Sequence, residues 1–422
     1  MSPSALRVAI VGGGLGGLCL AQGLVKAGIQ VAVYERDPSR DARTQGYRIH
    51  ISPEGSAALH ACLPTHLWKI LSATVGDFSR GFTIMTEQQQ ELLCLTLGQG
   101  RPSDPIRRHR SVSRITLRYI LLAGLDGIVH FDKRFVRYDR TPSGIVAHFE
   151  DGSAAEADLL VGADGVHSRV RAQYLPQAEP IDTGVVGIGG TIPLTDDVLS
   201  LAPPQLFIGP VMVLPPTPGG LFMAMWKRSA EAAAPLRQLG IEGPIPGDDD
   251  YLIFALGAQR SYFRLDDFPS EDEIRSVFRD QMTGWHPAFP ALLDRLPPGH
   301  LFLNSIRTSR PQPAWAASEV TLLGDAIHSM TPYRGIGGNI ALQDAALLCS
   351  KLAYAQAGRQ PLLAAVAEYE TAMRQYAFKA VADSFRAMQQ FTGPKKQPAF
   401  SLMKLGMRAA NFAMRLRRGK AR

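Results

Sequence analysis

The sequence predicts an α/β protein in which a parallel sheet is interrupted by a second, antiparallel sheet and is followed by helices. Three observations predict this fold class. A strand, a glycine-rich turn, a helix and a second strand open the chain, and apolar strands of the same kind return near residues 158–163 and 320. Between residues 181 and about 301 the runs are β-like with proline-rich connectors, and from residue 338 to about 390 the pattern is helical.

The composition is that of a globular protein with a large core. The chain has 422 residues, of which 45% are hydrophobic and 20% charged, so we expect two closely associated domains. No stretch approaches the roughly 20 apolar residues of a membrane span, so we expect no transmembrane helix, no signal peptide and a cytoplasmic location. The four cysteines form no CxxC pair, which predicts neither a disulfide framework nor a metal site.

Basic charge is concentrated in one segment. The net charge is +7, but nine basic residues and no acidic one lie between Gly393 and Arg422, so the rest of the chain carries −2. A nucleic-acid surface needs clustered charge on the folded body, and the body here is close to neutral. We therefore expect no nucleic-acid partner. Apolar residues recur there at helical spacing, which leaves two interpretations open: a helix in weak contact with a membrane surface, or, as we favour, a helix docked on the body with its basic side in solvent. The apolar set is Phe400, Met403, Met407, Ala410 and Met414.

The first βαβ unit contains a glycine fingerprint. Gly12, Gly14 and Gly17 follow an apolar strand and open a helix. In this context the first glycine permits the tight turn, the second lets backbone approach a pyrophosphate, and the third lets helix and strand pack closely. Glu35 ends the second strand, where a carboxylate accepts hydrogen bonds from ribose hydroxyls. The spacing predicts a dinucleotide site and fits NAD and FAD equally.

The middle of the chain contains a second motif. Residues 145–149 alternate in polarity, Asp151-Gly152 indicates a turn, and an apolar strand leads into Asp164-Gly165. Considered alone, Asp164-Gly165 indicates only a turn before a helix. The inserted antiparallel sheet follows, with β-like runs at 184–194, 219–226 and 251–256.

A third motif begins at Gly324-Asp325 and includes His328, which we expect to be structural. An Asp at a strand end can accept hydrogen bonds from polyol hydroxyls, and glycines before a helix present backbone N–H groups to a partly negative ring edge. The residues that lead into this helix are Pro332, Gly335, Gly337, Gly338 and Asn339.

With these three motifs in order, the chain resembles the class A flavoprotein monooxygenases, the para-hydroxybenzoate hydroxylase-like family. The resemblance implies a Rossmann-like FAD-binding domain with an inserted antiparallel β-sheet substrate domain and C-terminal helices. It also implies that Asp164 contributes to the flavin and nicotinamide sites and that Asp325 accepts a hydrogen bond from a ribityl hydroxyl. Pro332 is then beside the isoalloxazine ring, and the backbone of residues 335–339 faces the pyrimidine edge.

The resemblance extends to arginines. Arg114 matches the arginine that the family places against the phosphate and ribityl chain of the flavin, and Arg43 lies in a loop that approaches the cofactor. Arginine can bridge phosphate oxygens with two donors. Arg107, Arg108 and Arg110 either attract the phosphates of a nicotinamide cofactor or form a solvated charged face.

The reaction implied by the resemblance is oxygen transfer. NADPH or NADH binds transiently and reduces FAD, O2 adds to form a flavin C4a-hydroperoxide, and an aromatic ring or alkene receives the oxygen. A second glycine fingerprint that opens a helix is absent from the sequence, so we expect no separate nicotinamide domain. Two alternatives are an FAD-dependent oxidase or reductase without oxygen transfer, and an NAD-dependent dehydrogenase. A yellow purified protein would exclude the second.

The substrate is expected to be an apolar aromatic, polyketide or indole-like molecule, because the inserted strands carry few charges. Met223 and Met225 face it in one interpretation, with Phe222 and Trp226 packed behind; the reverse orientation is also open. Arg48 is the hypothesis for a polar catalytic group, which holds a phenolate or protonates a leaving oxygen, although it could simply bind pyrophosphate. No feature predicts the oligomeric state.

The predicted segments alternate between the two domains. Residues 1–73, 105–180 and 302–354 form the FAD-binding domain, and residues 74–104 and 181–301 form the substrate domain. Residues 355–422 form the C-terminal helices with the basic segment.

Overall fold

The computed structural model describes residues 5–42, 47–75, 81–96, 104–229, 232–241, 245, 249–263 and 269–419. The strands of this described part are, in chain order, β1 (Arg7–Val11), β2 (Gln30–Tyr34), β3 (Arg48–Ile51), β4 (Gly81–Met85), β5 (Glu91–Thr96), β6 (Arg110–Ser113), β7 (Val129–His130), β8 (Phe135–Thr141), β9 (Gly144–Phe149), β10 (Ala154–Ala157), β11 (Leu159–Gly162), β12 (Ile181–Pro193), β13 (Val211–Val213), β14 (Gly220–Trp226), β15 (Tyr251–Gln259), β16 (Phe302–Thr308) and β17 (Val320–Leu322).

The α-helices of the same ranges are α1 (Leu15–Lys26), α2 (Pro53–Cys62), α3 (Thr65–Thr74), α4 (Arg114–Leu122), α5 (Arg169–Tyr174), α6 (Asp196–Leu201), α7 (Ala233–Arg237), α8 (Arg260–Phe263), α9 (Glu271–Gln281), α10 (Ala288–Asp294), α11 (Asp325–His328), α12 (Gly337–Gln356), α13 (Leu362–Thr392) and α14 (Ala399–Gly419).

The predicted α/β fold class is confirmed by two main sheets. Five parallel strands form the first, in the order β17-β11-β1-β2-β7. Ile10, Leu18 and Leu160 are fully buried where α1 packs on this sheet, because both faces of a parallel sheet are covered by helices. A three-stranded sheet, β10-β9-β8, and a two-stranded sheet of β3 and β6 complete this half.

The second main sheet has seven strands, in the order β16-β12-β15-β14-β13-β4-β5. Its pairs are antiparallel as predicted, except that β13 and β4 are parallel. Helices α9 and α10 cover one face, with Phe254, Phe278 and Phe289 in the shared core. Strand β16 belongs to this sheet, so the sheet continues to Thr308, beyond the boundary expected at residue 301.

The segment predicted to be helical from residue 338 to about 390 consists of two helices. The helix α12 ends at Gln356, Gly358 takes a left-handed φ of 68°, and Pro361 caps α13. Proline lacks the N–H that a continuing helix would need and disfavours helical backbone in the residue before it. The two helices therefore pack side by side on the first sheet.

The last helix, α14, docks on the body through Phe400 and Met407, as we favoured. Arg408 donates to Gln90 Oε1 at 2.8 Å and Arg415 to Glu91 Oε1 at 2.6 Å, at the edge of this contact, while both residues stay exposed. The basic side therefore faces solvent as expected, apart from these two contacts with the β4–β5 hairpin, which sequence spacing does not show. Within the described ranges, no helix combines the length and apolar character needed to cross a membrane.

Candidate active site

The glycine fingerprint forms a turn that only glycine fits. Gly12 has a φ of 110°, and a Cβ atom there would lie 2.4 Å from the carbonyl oxygen of Ala163. A Cβ at Gly17 would lie 2.2 Å from the carbonyl oxygen of Gly12. Gly14 differs, because a Cβ there meets nothing within 4 Å at the start of α1. Open space before a helix N-terminus is what the close approach of a pyrophosphate requires.

Glu35 holds this turn from the end of β2. Its side chain is buried, and Oε2 accepts the Gly13 N–H at 2.6 Å while Oε1 accepts the Asp37 N–H at 3.0 Å. Each carboxylate oxygen has a second lone pair. The predicted role, accepting hydrogen bonds from ribose hydroxyls, is compatible with this geometry.

Asp164 brings the second motif against the first. Its Cα atom lies 2.9 Å from the position of a Cβ on Gly12. Oδ2 accepts the backbone N–H groups of Arg169 at 2.8 Å and Val170 at 3.3 Å, while Oδ1 is buried with no hydrogen-bond partner in the described part of the chain. Burial raises the pKa of Asp164 despite these hydrogen bonds. An unsatisfied buried acceptor is costly, so this oxygen fits a donor on a bound cofactor.

Asp325 lies in the lining of a cleft. The Asp325 side chain is open to solvent, yet the cleft lies deep enough that desolvation raises its pKa, against the charges of His328 and Arg114. A cavity of about 430 Å³ opens here. Its lining includes Val166, Ile306, Arg307, Asp325 and Pro332. The third motif therefore lies beside the second at one cavity.

The first turn of α12 closes the cleft without a capping side chain. Gly335 is left-handed with a φ of 61°, and the N-cap residue Ile336 makes no side-chain hydrogen bond to the first turn. The first N–H groups of a helix have no intrahelical partner, so they suit the predicted acceptor edge of a flavin ring. A Cβ at Gly338 would lie 2.5 Å from Ile49 Cδ1, whereas at Gly337 it would meet only Met330, at 3.5 Å.

Asn339 connects α12 to β3. Its Nδ2 donates to the His50 carbonyl at 2.7 Å, and its Oδ1 accepts the Ser52 N–H at 2.7 Å. The side chain is thus used for internal bonding, and only its backbone is available for the predicted cofactor contact. Strand β3 is consequently fixed against the start of α12.

Arg48 lies where β3 meets the seven-stranded sheet. Its backbone N–H donates to the Tyr251 hydroxyl at 2.6 Å, and its Nε donates to Ser111 Oγ at 3.3 Å. Burial lowers the pKa of Arg48, and the neighbouring Tyr251 opposes that shift. Tyr251 belongs to an apolar cluster with Trp226 and Ile253. The Arg48 backbone therefore adjoins an aromatic cluster, while its partly dehydrated guanidinium reaches Ser111 on β6.

The two methionines of β14 lie on the face that helices α9 and α10 cover, which does not favour their predicted contact with the substrate. Met223 is fully buried in the core under α9 and α10, and Met225 packs against that same core. Phe222 and Trp226 belong instead to the cluster of Tyr251, on the other face of the sheet. Alternation along a strand made the faces predictable, but not which one is covered by helices.

Two histidines beside Arg48 were missed. His50 Nε2 and His109 Nδ1 are 3.0 Å apart. Burial, then the charges of His109 and Arg48, lower the pKa of His50 to about 4, so its ring is neutral near neutral pH. Because side chains two apart share a face of a strand, Arg48 and His50 could have been paired from the sequence.

A buried network behind Asp325 was also missed. His328 Nε2 lies 2.5 Å from Asp344 Oδ2, which also accepts the Gly324 N–H at 2.9 Å, and the Tyr376 hydroxyl donates to Asp344 Oδ1 at 2.6 Å. His328 and Asp344 are both fully buried, so the expected structural role of His328 is confirmed. The network fixes the Gly324-Asp325 turn from α12 and α13.

Of the other arginines predicted near the cofactor, Arg110 lies in the described part of the chain and Arg43 does not. Arg110 is buried, donates to Ser56 Oγ at 3.0 Å and stacks over Trp68 at 4.8 Å, so it forms neither a solvated face nor a phosphate site. Arg43 lies outside the described residues. Its predicted contact with the cofactor stays a prediction.

Comparison with known proteins agrees with this cleft. The model of an FAD binding domain matches residues 308–384, and that of an NAD(P)-binding Rossmann-like domain matches residues 10–71. The chain is 34% identical to the crystal structure of a protein assigned as an FAD containing monooxygenase from Photorhabdus luminescens subsp. laumondii TTO1. That match covers 92% of this chain and 99% of the other, with a TM-score of 0.79.

Curated relatives point the same way. The 6-hydroxynicotinate 3-monooxygenase of Bordetella bronchiseptica is 27% identical over 364 residues, 85% of each chain. The dual O-methyltransferase/FAD-dependent monooxygenase elcB of Phaeosphaeria nodorum is 30% identical over 369 residues, which are 81% of this chain and 40% of elcB. The chain therefore spans less than half the length of that relative.

The cleft and its three motifs define a flavin-dependent oxidoreductase. With the full-length match to the Photorhabdus structure, the chain belongs to the class A FAD-dependent monooxygenases. Its cofactor is FAD.

Proposed function

We propose that this monooxygenase uses NADPH or NADH and O2 to hydroxylate or epoxidise an apolar aromatic, polyketide or indole-like small molecule. One observation carries the proposal: the Arg48 backbone is hydrogen-bonded to Tyr251, whose apolar cluster includes Trp226 and Ile253. Strand β3 thus connects the FAD cleft to an aromatic surface with a cation at its edge. Bound FAD supplies hydride acceptance and the activation of O2, along the oxygen-transfer route that the resemblance implies.

The residues of the cleft would hold the cofactor in a defined order. The Gly14 turn and Glu35 would take the pyrophosphate and the adenosine ribose, and Asp164, Arg114 and Asp325 the middle of the cofactor. The backbone at Gly335, Gly337, Gly338 and Asn339 would face the ring, with Pro332 beside it. Arg43 is proposed as a further phosphate contact.

Arg48 and the sheet face would position the substrate. A guanidinium that is partly dehydrated attracts an anionic oxygen more strongly than one in water, so Arg48 would orient a phenolate or enolate. Phe222, Trp226 and Tyr251 would supply a dry apolar wall, which limits wasteful release of peroxide. The name of the Bordetella relative, a 6-hydroxynicotinate 3-monooxygenase, supports an aromatic substrate with an ionisable oxygen.

The alternative is an FAD-dependent oxidase or reductase that does not transfer oxygen. The deciding measurement is hydroxylated product against H2O2, with NADPH or NADH and a panel of phenols, indoles and aromatic polyketides. For Arg48→Ala we expect a loss of roughly a hundredfold in kcat/KM for product formation, with FAD affinity changed less than about fivefold. Arg48→Lys should recover part of the activity.

A matched control is Tyr251→Phe, which keeps the ring but removes the hydroxyl that accepts the Arg48 N–H. Equal loss of FAD binding and of product formation in Arg48→Ala would assign Arg48 to pyrophosphate binding instead. H2O2 as the only product with every compound that stimulates NADPH oxidation would favour the oxidase.

A further inference from the structure

The helix α14 has two apolar faces, and only one of them is used by the body. Phe400 and Met407 pack into a cluster with Ile84, Met212 and Phe222. Asn411 reinforces this docking, since its Oδ1 accepts the Cys94 N–H at 3.1 Å and its Nδ2 donates to Glu91 at 2.7 Å. The inner face thus accounts for how the helix is held.

The outer face of α14 carries a stripe of exposed large apolar side chains. Leu402 is 64% exposed, Leu405 63%, Phe412 64% and Leu416 52%. With Ala409 these positions are spaced alternately by three and four residues, which keeps them on one side of a helix. The stripe is about 20 Å long at 1.5 Å per residue. Isolated exposed apolar residues are ordinary, but an aligned stripe indicates a contact surface.

The charge around the stripe decides between its possible occupants. Residues 393–422 contain nine basic residues and no acidic one. At 100° per residue, Arg408 and Arg415 lie beside the stripe rather than opposite it. Arg408 is hydrogen-bonded to the neutral side chain of Gln90, and Arg415 stays 63% exposed although it pairs with Glu91. A second copy would place these cations close to the same cations of its partner, which repel them. An anionic lipid surface is instead complementary to them. A helix with an apolar stripe, basic flanks and too little hydrophobicity to span a bilayer is suited to lie in the membrane interface.

We propose that α14 binds the surface of membranes that contain anionic phospholipids, with Leu402, Leu405, Phe412 and Leu416 inserted below the headgroups. The inner face shares Phe222 with the aromatic surface of the active site. The docked helix would therefore place the substrate face close to the bilayer. A lipophilic substrate dissolved in the membrane suits this arrangement, an inference that rests on the proposed function.

The test is sedimentation of the FAD-loaded full chain with vesicles of phosphatidylcholine alone or of phosphatidylcholine with phosphatidylserine. We expect binding to the anionic vesicles, weakened by salt, and little to the neutral ones. Leu405→Ser with Phe412→Ser should lower the partition coefficient roughly a hundredfold, about tenfold for each side chain removed from the bilayer. Leu402→Ser with Leu416→Ser should act in the same direction.

Phe207→Ser is the matched control, because Phe207 is 58% exposed on a different surface. It should bind like wild type. Flavin absorption and circular dichroism establish that each variant is folded, and neither they nor sedimentation depends on turnover. Equal binding to both vesicle types, or equal binding of wild type and the stripe variants, would overturn the proposal. So would absent vesicle binding together with a dimer that the stripe variants abolish, which would assign the stripe to a second copy.

A turnover measurement tests whether the membrane delivers the substrate. The apparent KM for a lipophilic substrate should fall when anionic vesicles are added to wild type, and stay unchanged for the stripe variants. Vesicle binding with an unchanged KM in wild type would contradict substrate delivery from the membrane.

Discussion

The cofactor cleft and the proposed substrate face of this enzyme are built by different means. The cleft depends on backbone: Gly12 and Gly17 permit close approach, and α1 and α12 present their first turns. The proposed substrate face depends on side chains from distant strands, since Arg48 and Tyr251 are 203 positions apart in the sequence. Short motifs therefore predict the cofactor site, whereas a substrate site of this kind forms only where separate strands meet.

The network behind the cleft offers the largest effect. Asp344→Ala leaves His328 buried without its partner and removes the acceptor of the Gly324 N–H. We expect a loss of about 3–5 kcal/mol in the free energy of unfolding, with weaker FAD binding, measured by denaturant titration and flavin content. Asp383→Ala is the control, because Asp383 pairs with exposed cations and its removal should change stability far less. Equal losses of unfolding free energy in the two variants would mean that the network stabilises the fold no more than a surface ion pair does.

The glycine turn allows a comparison between neighbouring positions. Gly12→Ala adds a Cβ 2.4 Å from a backbone oxygen in a left-handed conformation and should cost about 2–4 kcal/mol. In Gly14→Ala the Cβ meets no protein atom within 4 Å, so the apoprotein should keep its stability while FAD affinity falls. Stability from denaturation and FAD affinity from fluorescence separate the two. If Gly14→Ala left FAD affinity unchanged, the pyrophosphate would have to lie elsewhere.

On the substrate face the effect should appear in kinetics rather than in stability. Trp226→Leu changes the aromatic wall and should alter kcat/KM about tenfold for an accepted aromatic substrate. Met223→Leu lies on the helix-covered face and should change kcat/KM little, with less than about 1.5 kcal/mol lost in stability. Kinetics of both variants with one substrate test this assignment. The opposite ranking would mean that the methionine face meets the substrate.

The smallest expected effect is on pH dependence. Burial lowers the pKa of His328, but the charge of Asp344 and the hydrogen bond to it outweigh burial, so the net pKa is raised above 6.5. A raised pKa stabilises the fold fully below the unfolded value, and the stabilisation is lost as pH rises through the folded value. We expect the difference in unfolding free energy between wild type and His328→Gln to shrink above pH 6.5 by at most about 1.4 kcal/mol per unit. An increase with pH, seen in denaturation curves, would mean that His328 is neutral.

Several parts of the fold and the site were readable from local sequence. The capping box of Ser270 and Glu273 at the start of α9 joins partners that lie within one helical turn, so local sequence is enough to predict it. The parallel and inserted sheets were also predicted in order. The break before Pro361 was within reach of the same reasoning. The contacts of Asn339 with β3 and of Asp344 with Tyr376 were not, because they join residues whose proximity depends on how helices pack.

Local sequence was enough to identify the nucleotide half through Gly12, Gly14, Gly17, Asp164 and Asp325, because a tight turn and a strand end impose local steric rules. The packing of the elements was needed for the remaining features. It places Trp226 rather than Met223 on the side of Arg48, and it docks α14 through Phe400 and Met407 while Leu405 and Phe412 stay outside. An alternating strand or an amphipathic helix fixes which residues share a face, but burial of one face depends on the element packed against it.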